Sequence, residues 1–472
     1  MHCTSPTSRR TLTLTPKPLL AALLALVPLA PPALAAGMNC AQAKTPTEVA
    51  ICADAELLRQ DSELSAIYGK LGAARPDDRA ALRQDQRDWL RARNGCGANA
   101  GCLRDQYLVR VSVLQDQLRS ATAYVPDETD RQALEDLRQA VEAASRNNVE
   151  FPLEDALASL SIKRGTTTFS NVRANEDDDE ARFPVTRPDG VTPDEWKALQ
   201  ASGIDAGGEN GAASYSLMDL DGDGQRDLVI NSYTGGTGLF SDISALRRAG
   251  GRYAEAIDAH GNAASSLYTL NGRGSNQAGE WIRLRGRVYA AYRNSYYGVD
   301  HVHLLRPLHA VGEVPTLTIQ YRYQLQVPKQ QKRADKDAVH VLDDALHAGL
   351  TQALATVDAE SARGDGDADN LAGAPDRPLC PIPADVKEDE RDRYYQYGAG
   401  HYSYETVADV AVHVGTHCYV ARLIDWFGGY DAKFGLSAMM WLREPGADDG
   451  DEEISVQGKR RAIRFGTSVG PI

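Results

Sequence analysis

Hydrophobic residues recur at spacings of three and four through residues 38–121, which predicts a series of amphipathic helices. The first helix has a clear start at residues 45–48, Thr-Pro-Thr-Glu. Thr45 is a favourable cap, Pro46 suits the first helical position, and Glu48 closes a capping box. The pattern therefore predicts a helix that begins just after Thr45.

Three more helices are predicted in the same segment. The second carries an apolar stripe from Leu57 to Leu71, the third opens at Pro76, and the fourth follows Cys96. The apolar stripe of the fourth comprises Leu103, Tyr107, Val111, Leu114 and Leu118. Such closely spaced amphipathic helices favour a small bundle. A fifth helix is predicted at residues 127–146, and we interpret it as a connector.

Alternation of apolar and polar residues replaces the helical spacing later in the chain. It covers Trp281–Tyr292 and Thr316–Val327, which predicts half-buried antiparallel strands. Another helix is predicted near residues 337–355. Residues 359–378 are rich in Gly, Asp, Pro and Ala, as in a linker, and residues 379–472 again favour β-structure.

Residues 1–36 have the features of a cleaved secretory signal. Three cations precede an apolar stretch, Leu19–Ala30, which is shorter than the roughly 20 apolar residues of a membrane-spanning helix. Small residues at Ala33 and Ala35 suit a signal peptidase, with cleavage after Ala35 or Ala36. We therefore expect a periplasmic or secreted protein with no transmembrane segment after cleavage.

The charge of the chain excludes one class of partner. The formal net charge is −14, and loss of the leader, which has three cations and no acids, would change it to −17. A strongly acidic chain repels nucleic acid, so we expect no nucleic-acid partner. The more than 430 residues after the leader are too many for one compact core, which predicts several domains.

Cysteines give the sequence a disulfide framework. Six remain after the leader: Cys40, Cys52, Cys96, Cys102, Cys380 and Cys418. An even count in an oxidising compartment favours disulfides. Short loops slightly favour Cys40–Cys52 and Cys96–Cys102, whereas cross-links between the two helical hairpins remain the alternative. The two late cysteines are expected to pair as Cys380–Cys418.

Together these patterns predict a multidomain α+β protein, with an N-terminal disulfide-stapled helical bundle followed by a mainly antiparallel β region. The expected divisions are a signal peptide at 1–36, a helical domain at 37–121, a helical connector at 122–150, a β-rich domain at 151–358, a linker at 359–378 and a C-terminal segment at 379–472.

Four groups of residues in the helical segment form a joint pattern. They are Cys40-Ala41 with Thr45, Glu48 and Ile51-Cys52; Leu57, Asp61, Leu64 and Tyr68; Gln86, Trp89-Leu90, Arg93 and Cys96; and Cys102-Leu103, Tyr107, Arg110-Val111 and Leu114. In this order, at about residues 40–118, they resemble the N-terminal domain of LprI-type lysozyme inhibitors. The resemblance implies a small four-cysteine helical module of the bacterial envelope that binds lysozyme.

Residue chemistry gives the same motif a structural role. Trp89 and Tyr107 are expected to fill the core, and Arg93 and Arg110 to pair with Asp61 or Asp88. Residues 37–121 hold 12 Lys or Arg and 11 Asp or Glu, so electrostatic attraction of a cationic lysozyme would have to come from the acidic remainder.

A second candidate site lies at residues 219–227, Asp-Leu-Asp-Gly-Asp-Gly-Gln-Arg-Asp. We expect a structural Ca²⁺ site, because odd-numbered positions around a tight turn supply oxygen ligands. The expected ligands are Asp219, Asp221, Asp223, Gln225 and Asp227. The loop is similar to those of FG-GAP and VCBS-type repeats, in which it joins two strands; accordingly a strand, and not the helix of an EF-hand, is expected from Leu228.

No catalytic motif stands out from the sequence, so we expect a binding protein and not an enzyme. There is no HExxH helix and no phosphate-binding glycine loop. Two functional classes therefore compete: an envelope protein that inhibits lysozyme through its helical module, and a calcium-stabilised adhesion or glycan-binding protein, with peptidoglycan among its candidate ligands.

Overall fold

The structure is a computed structural model that describes residues 37–173, 175, 179–204, 208–256, 266–272, 277–332, 339–357, 377–398, 404–431, 435–445 and 452–472. The predicted signal peptide and residues 359–376 of the predicted linker lie outside them. The described residues form a multidomain α+β protein, which confirms the predicted fold class. They divide into two compact units, one ending at Leu114 and the other spanning Gln115–Ile472.

The first unit is helical. Its helices are α1 (Pro46–Ala53), α2 (Ala55–Ala74), α3 (Arg79–Asn94) and α4 (Ala100–Thr122), the last of which continues past the boundary at Leu114. The third helix begins at Arg79 and not at Pro76, because the Asp78 N–H bonds the carbonyl of Arg75 and residues 75–78 form a turn.

The second unit combines helices with antiparallel strands. Within the described residues its helices are α5 (Glu128–Ser145), α6 (Pro152–Leu160), α7 (Pro193–Ala201) and α8 (Asp344–Leu354). Its strands there are β1 (Thr167–Ser170), β2 (Ala213–Met218), β3 (Asp227–Gly235), β4 (Phe240–Ala249), β5 (Arg252–Glu255), β6 (Ser266–Asn271), β7 (Gln277–Leu284), β8 (Arg287–Tyr296), β9 (Val299–Leu305), β10 (Val314–Gln326), β11 (Gln330–Lys332), β12 (Val339–Val341), β13 (Glu405–Val414), β14 (His417–Asp431), β15 (Gly435–Arg443) and β16 (Glu452–Gly470).

These strands form two large sheets and one small one in the described part of the chain. One large sheet has the order β1-β2-β3-β4-β5, with β6 also paired to β4. The other has the order β13-β14-β15-β16-β10-β9-β8-β7. Strands β11 and β12 pair with each other. The Trp281–Tyr292 run, predicted as continuous, is a hairpin of β7 and β8 that turns at Arg285 and Gly286.

The core of the second unit is layered around β8. Tyr289 and Ala291 face one way and pack with α5 and α6, whereas Val288 and Ala290 face the other way and pack with strands β2–β4 of the other large sheet. This opposite orientation of successive residues is the normal consequence of strand geometry. The far face of that sheet packs on α7, so the layers run helix, sheet, sheet, helix.

Helix α5, interpreted from the sequence as a connector, is part of this core. Leu137 and Val141 pack against the sheet. The first turn of this helix also contacts β8, because Asp130 accepts hydrogen bonds from Tyr289 Oη at 2.7 Å and Arg287 Nη1 at 2.9 Å. The acids at the start of the helix therefore attach it to the strand as well as capping it.

The sequence predicted that residues 379–472 form a segment separate from the β-rich domain, but strands from the two regions belong to the same sheet. Strand β16 pairs with β10 from Val314↔Gly470 to Gln326↔Gln457, so strands from both sides of segment 359–378 share one sheet. Such long-range pairing leaves no local signal, and a composition break between the strands suggested a domain boundary instead.

Disulfides join Cys40 to Cys52, Cys96 to Cys102, and Cys380 to Cys418. The last one lies in a small core with Tyr394, Tyr397 and Val420. Among the described helices, none combines the length and apolar character needed to cross a bilayer.

Candidate functional site

The predicted motif residues of the first unit begin at the cap of α1. The Thr45 hydroxyl accepts a hydrogen bond from the Glu48 N–H at 3.2 Å, and the Glu48 carboxylate accepts one from the Thr45 N–H at 2.9 Å. This is the predicted capping box, and its two members fix the start of the helix. The Cys40–Cys52 disulfide ties the end of that helix to the chain that precedes it.

Three other motif residues form a buried polar network. The Tyr107 hydroxyl donates to Asp61 Oδ1 at 2.7 Å, and Arg93 Nη1 donates to the same hydroxyl at 2.9 Å. Arg93 and Asp61 also form an ion pair at 3.6 Å, as the sequence predicts. The Met38 N–H adds a bond to Asp61 Oδ2 at 2.6 Å. Burial and the bond to Asp61 raise the pKa of Tyr107, so its hydroxyl stays a donor.

The aromatic and cationic residues of the motif stack beside this network. Trp89 and Tyr107 meet edge to face with ring centroids 5.4 Å apart. The guanidinium groups of Arg93 and Arg110 lie 5.4 Å and 5.9 Å from the Trp89 ring centroid. These are distances at which a cation is attracted to an aromatic face.

Arg110 does not pair with Asp88, the other partner considered from the sequence. It bonds Asp85 at 2.8 Å and Gln86 at 2.9 Å. Asp88 instead pairs with Arg91, three residues along the same helix. Tyr68, the remaining motif residue, is half-buried. Most motif side chains are thus buried or half-buried and form the internal scaffold of the unit, whereas Thr45 at the start of α1 is exposed.

Sequence reasoning missed the exposed aliphatic residues of α4. Leu108 is 67% exposed, Val109 63% and Val113 39%. They lie outside the buried stripe of α4. Arg110 is buried in that stripe, where the sequence suggested Val111 instead. We call Leu108, Val109 and Val113 the α4 surface. The sequence could have indicated their exposure, because they lie outside the helical spacing of the core residues.

Comparison with known families finds one similarity, in the helical part of the chain. Residues 38–123 match the family described as Lysozyme inhibitor LprI. This match supports an LprI-type domain at the N-terminus, and we call residues 38–123 the LprI-type domain. The match covers less than a fifth of the 472 residues. No curated protein and no solved structure matches the chain.

Outside the LprI-type domain, the aspartate loop connects β2 to β3. Carboxylate oxygens of Asp219, Asp221 and Asp227 all lie within 4.8 Å of one another. Asp223 is outside that group and accepts hydrogen bonds from the N–H and the side-chain amide of Gln225. The structure thus brings three of the five predicted ligands together, and a strand follows the loop as expected.

Backbone geometry explains why the carboxylates converge. Gly222 and Gly224 have φ angles of +82° and +85°, which other residues rarely adopt, and both donate their N–H groups to Asp219. Burial, followed by the charges of Asp221 and Asp223, raises the pKa of Asp227 to about 6. The Arg247 guanidinium lies 3.2 Å from Asp221. These oxygens have the chemistry that Ca²⁺ prefers.

Proposed function

We propose that this protein is an exported bacterial envelope protein that binds lysozyme through its LprI-type domain and thereby inhibits it. The observation that carries the proposal is the family match at residues 38–123. The expected secretory signal at residues 1–36 supports it, because it would place the protein in the periplasm or outside the cell, where lysozyme acts.

The contact with lysozyme is proposed to involve the α4 surface. The family motif is largely internal, so it holds the helices in place and leaves recognition to exposed residues. Exposed aliphatic side chains close together on one helix favour a protein interface. Leu108 and Val109 are adjacent and each more than half exposed, and they are the proposed centre of that interface.

The proposed mechanism is stoichiometric binding and not catalysis. A rigid module reduces the entropy cost of association, and the two disulfides and the Asp61–Arg93–Tyr107 network supply that rigidity. One bound inhibitor would block one enzyme, so inhibition should reach completion near equimolar protein when affinity is high.

A bacterial lysis assay with residues 37–472 and several lysozyme types tests this function. We expect inhibition of at least one type, and we expect the double variant L108Q/V109Q to lose about tenfold or more in affinity, since central interface residues dominate binding. Glutamine keeps the helix propensity high. V185Q is the matched control, because Val185 is an exposed aliphatic residue outside the domain.

Two results would count against the proposal. Failure to inhibit any lysozyme type at micromolar excess would contradict the proposed inhibition and favour an adhesion or glycan-binding protein. Inhibition that L108Q/V109Q and V185Q leave equally intact would retain the function but move the interface elsewhere in the LprI-type domain.

We further propose that the aspartate loop binds Ca²⁺ in a structural role. Asp219, Asp221 and Asp227 would supply carboxylate ligands, Asp223 would join them by releasing its hydrogen bonds from Gln225, and Gln225 would add its backbone carbonyl. The ion would offset the repulsion among these carboxylates and fix the connection between β2 and β3.

A further inference from the structure

A cleft in the second unit has no part in the function proposed above. Its volume is about 390 Å³, and it lies between α6 and strands β7 and β8. Four charged side chains line it: Glu154, Lys163, Glu280 and Arg293. The volume falls within the usual range for small-molecule sites.

An ion-pair network forms the base of the cleft. Glu154 Oε1 accepts hydrogen bonds from Arg293 Nη1 at 2.8 Å and from Arg460 Nη2 at 3.0 Å. The Arg460 side chain is only 3% exposed, and its guanidinium lies 4.3 Å from the Tyr321 ring centroid and 4.7 Å from that of Tyr430. This packing holds Glu154 in one place, as a preformed binding site requires.

One acceptor and one donor at this base are unused by the protein. Glu154 Oε2 and Arg293 Nε are enclosed, yet neither has a hydrogen-bond partner among the described residues. Most enclosed polar atoms in folded proteins have a partner, so two orphans on neighbouring lining residues mark the cleft as unusual.

The mouth of the cleft repeats this pairing of opposite charges. Lys163 and Glu280 are exposed, and neither forms an ion pair within the described part of the chain. The segment carrying Lys163 is fixed against β7, because the Ile162 N–H bonds the carbonyl of Trp281 at 2.9 Å. The mouth therefore offers a ligand these unpaired groups, one positive and one negative, next to the Arg293–Glu154 ion pair at the base.

We propose that this cleft binds a small zwitterion of the amino-acid or short-peptide class. Its carboxylate would lie toward Lys163 and Arg293, and its ammonium toward Glu280 and Glu154. The lining has two carboxylates and two cations, so a ligand with one group of each sign can pair with both, whereas a singly charged ligand meets as many like charges as opposite ones. The apolar lining, which includes Leu157, Ala278 and Ala291, accommodates a short aliphatic side chain.

Isothermal titration of residues 37–472 with L-alanyl-L-alanine tests the proposal. We expect saturable binding, and a loss of about fivefold or more in affinity for K163A and for E280A, as for the removal of one charged partner. K197A and E313A are matched controls, since both residues are exposed and outside the cleft. They should bind like the unaltered protein.

Blocked dipeptides separate a zwitterion site from a general charge site. N-acetyl-alanyl-alanine keeps only the carboxylate and alanyl-alanine amide keeps only the ammonium, and we expect each to bind at least about fivefold more weakly. The proposal is overturned by no saturable binding of the free dipeptide at millimolar concentration, by equal binding of either blocked form, or by unchanged affinity in both K163A and E280A. None of these results bears on lysozyme inhibition.

Discussion

Tyr107 and Asp61 are joined by a 2.7 Å hydrogen bond in the core of the LprI-type domain, and Arg93 completes the contact from the other side. The three groups satisfy one another in a region from which water is excluded. Loss of any one would leave charged or polar partners unpaired, and this has a larger effect than loss of the bond alone.

We therefore expect Tyr107→Phe to lower the free energy of unfolding of this domain by about 1–3 kcal/mol, because both Asp61 and Arg93 lose a buried partner. Urea denaturation followed by far-ultraviolet circular dichroism measures it. Tyr68→Phe removes the same atom at a half-buried position and should cost much less. Equal losses in the two variants would show that the network contributes little.

Disulfide removal should have unequal effects that follow loop length. In the loop-entropy description, breaking the Cys380–Cys418 bond, whose cysteines are 38 residues apart, should lower the free energy of unfolding by about 4 kcal/mol. Breaking the Cys96–Cys102 bond, with a separation of 6 residues, should lower it by about 2 kcal/mol. Paired Cys→Ser variants and denaturant titration give the two values. Non-reducing peptide mapping should first recover all three bridges; recovery of cross-links between hairpins would contradict the local pairing.

Glu405 makes the stability of the second unit depend on pH. Burial raises its pKa to about 7, although Glu405 accepts a hydrogen bond from the Tyr297 N–H at 2.9 Å. Since the folded state holds the proton more tightly than the unfolded state, stability should fall as pH rises from about 4.5 to about 7 and then level off.

Glu405→Gln should remove that dependence, because the amide keeps an acceptor and has no charge. At pH 8 we expect the variant to be more stable than the unaltered protein, by on the order of 2 kcal/mol, and at pH 4 to differ little. Thermal unfolding between pH 4 and pH 8 provides the comparison, with Glu313→Gln as an exposed control. A difference that does not change with pH would rule out Glu405 as its source.

Calcium should stabilise the second unit if the aspartate loop binds it. With a Kd of ~10⁻⁴–10⁻³ M, 10 mM Ca²⁺ should add about 1.4 kcal/mol or more to the free energy of unfolding. Asp221→Ala should abolish the resulting rise in melting temperature, whereas Asp189→Ala, at an exposed aspartate outside the loop, should not. Equal calcium shifts in the two variants would place the ion elsewhere.

Features fixed by near neighbours were predictable from the sequence. The capping box at Thr45 and Glu48 depends on four consecutive residues, and the structure has it as expected. The structure also has the local pairs Cys40–Cys52 and Cys96–Cys102, which short loops favour. The convergence of Asp219, Asp221 and Asp227 follows from one turn with glycines at fixed positions.

Features that depend on distant residues were not predictable. The partner of Arg110 was mistaken because Asp85, Gln86 and Asp88 share one helix, and only packing selects among them. The cleft at Glu154 needs residues from α6, β7 and β8, and its link to Arg460 spans more than three hundred positions. The spacing of hydrophobic residues along the chain does not indicate which distant residues will be in contact.

The position of β16 also governs how this protein can be made. This strand is the last described element in sequence, yet it lies between β10 and β15 in the sheet. Until it has emerged and paired, β10 presents an open edge along thirteen residues, Val314–Gln326, and such edges invite pairing between chains. Assembly of this sheet must therefore wait until residues 452–470 have been synthesised, and pairing between strands so far apart in sequence is slow compared with the formation of local contacts.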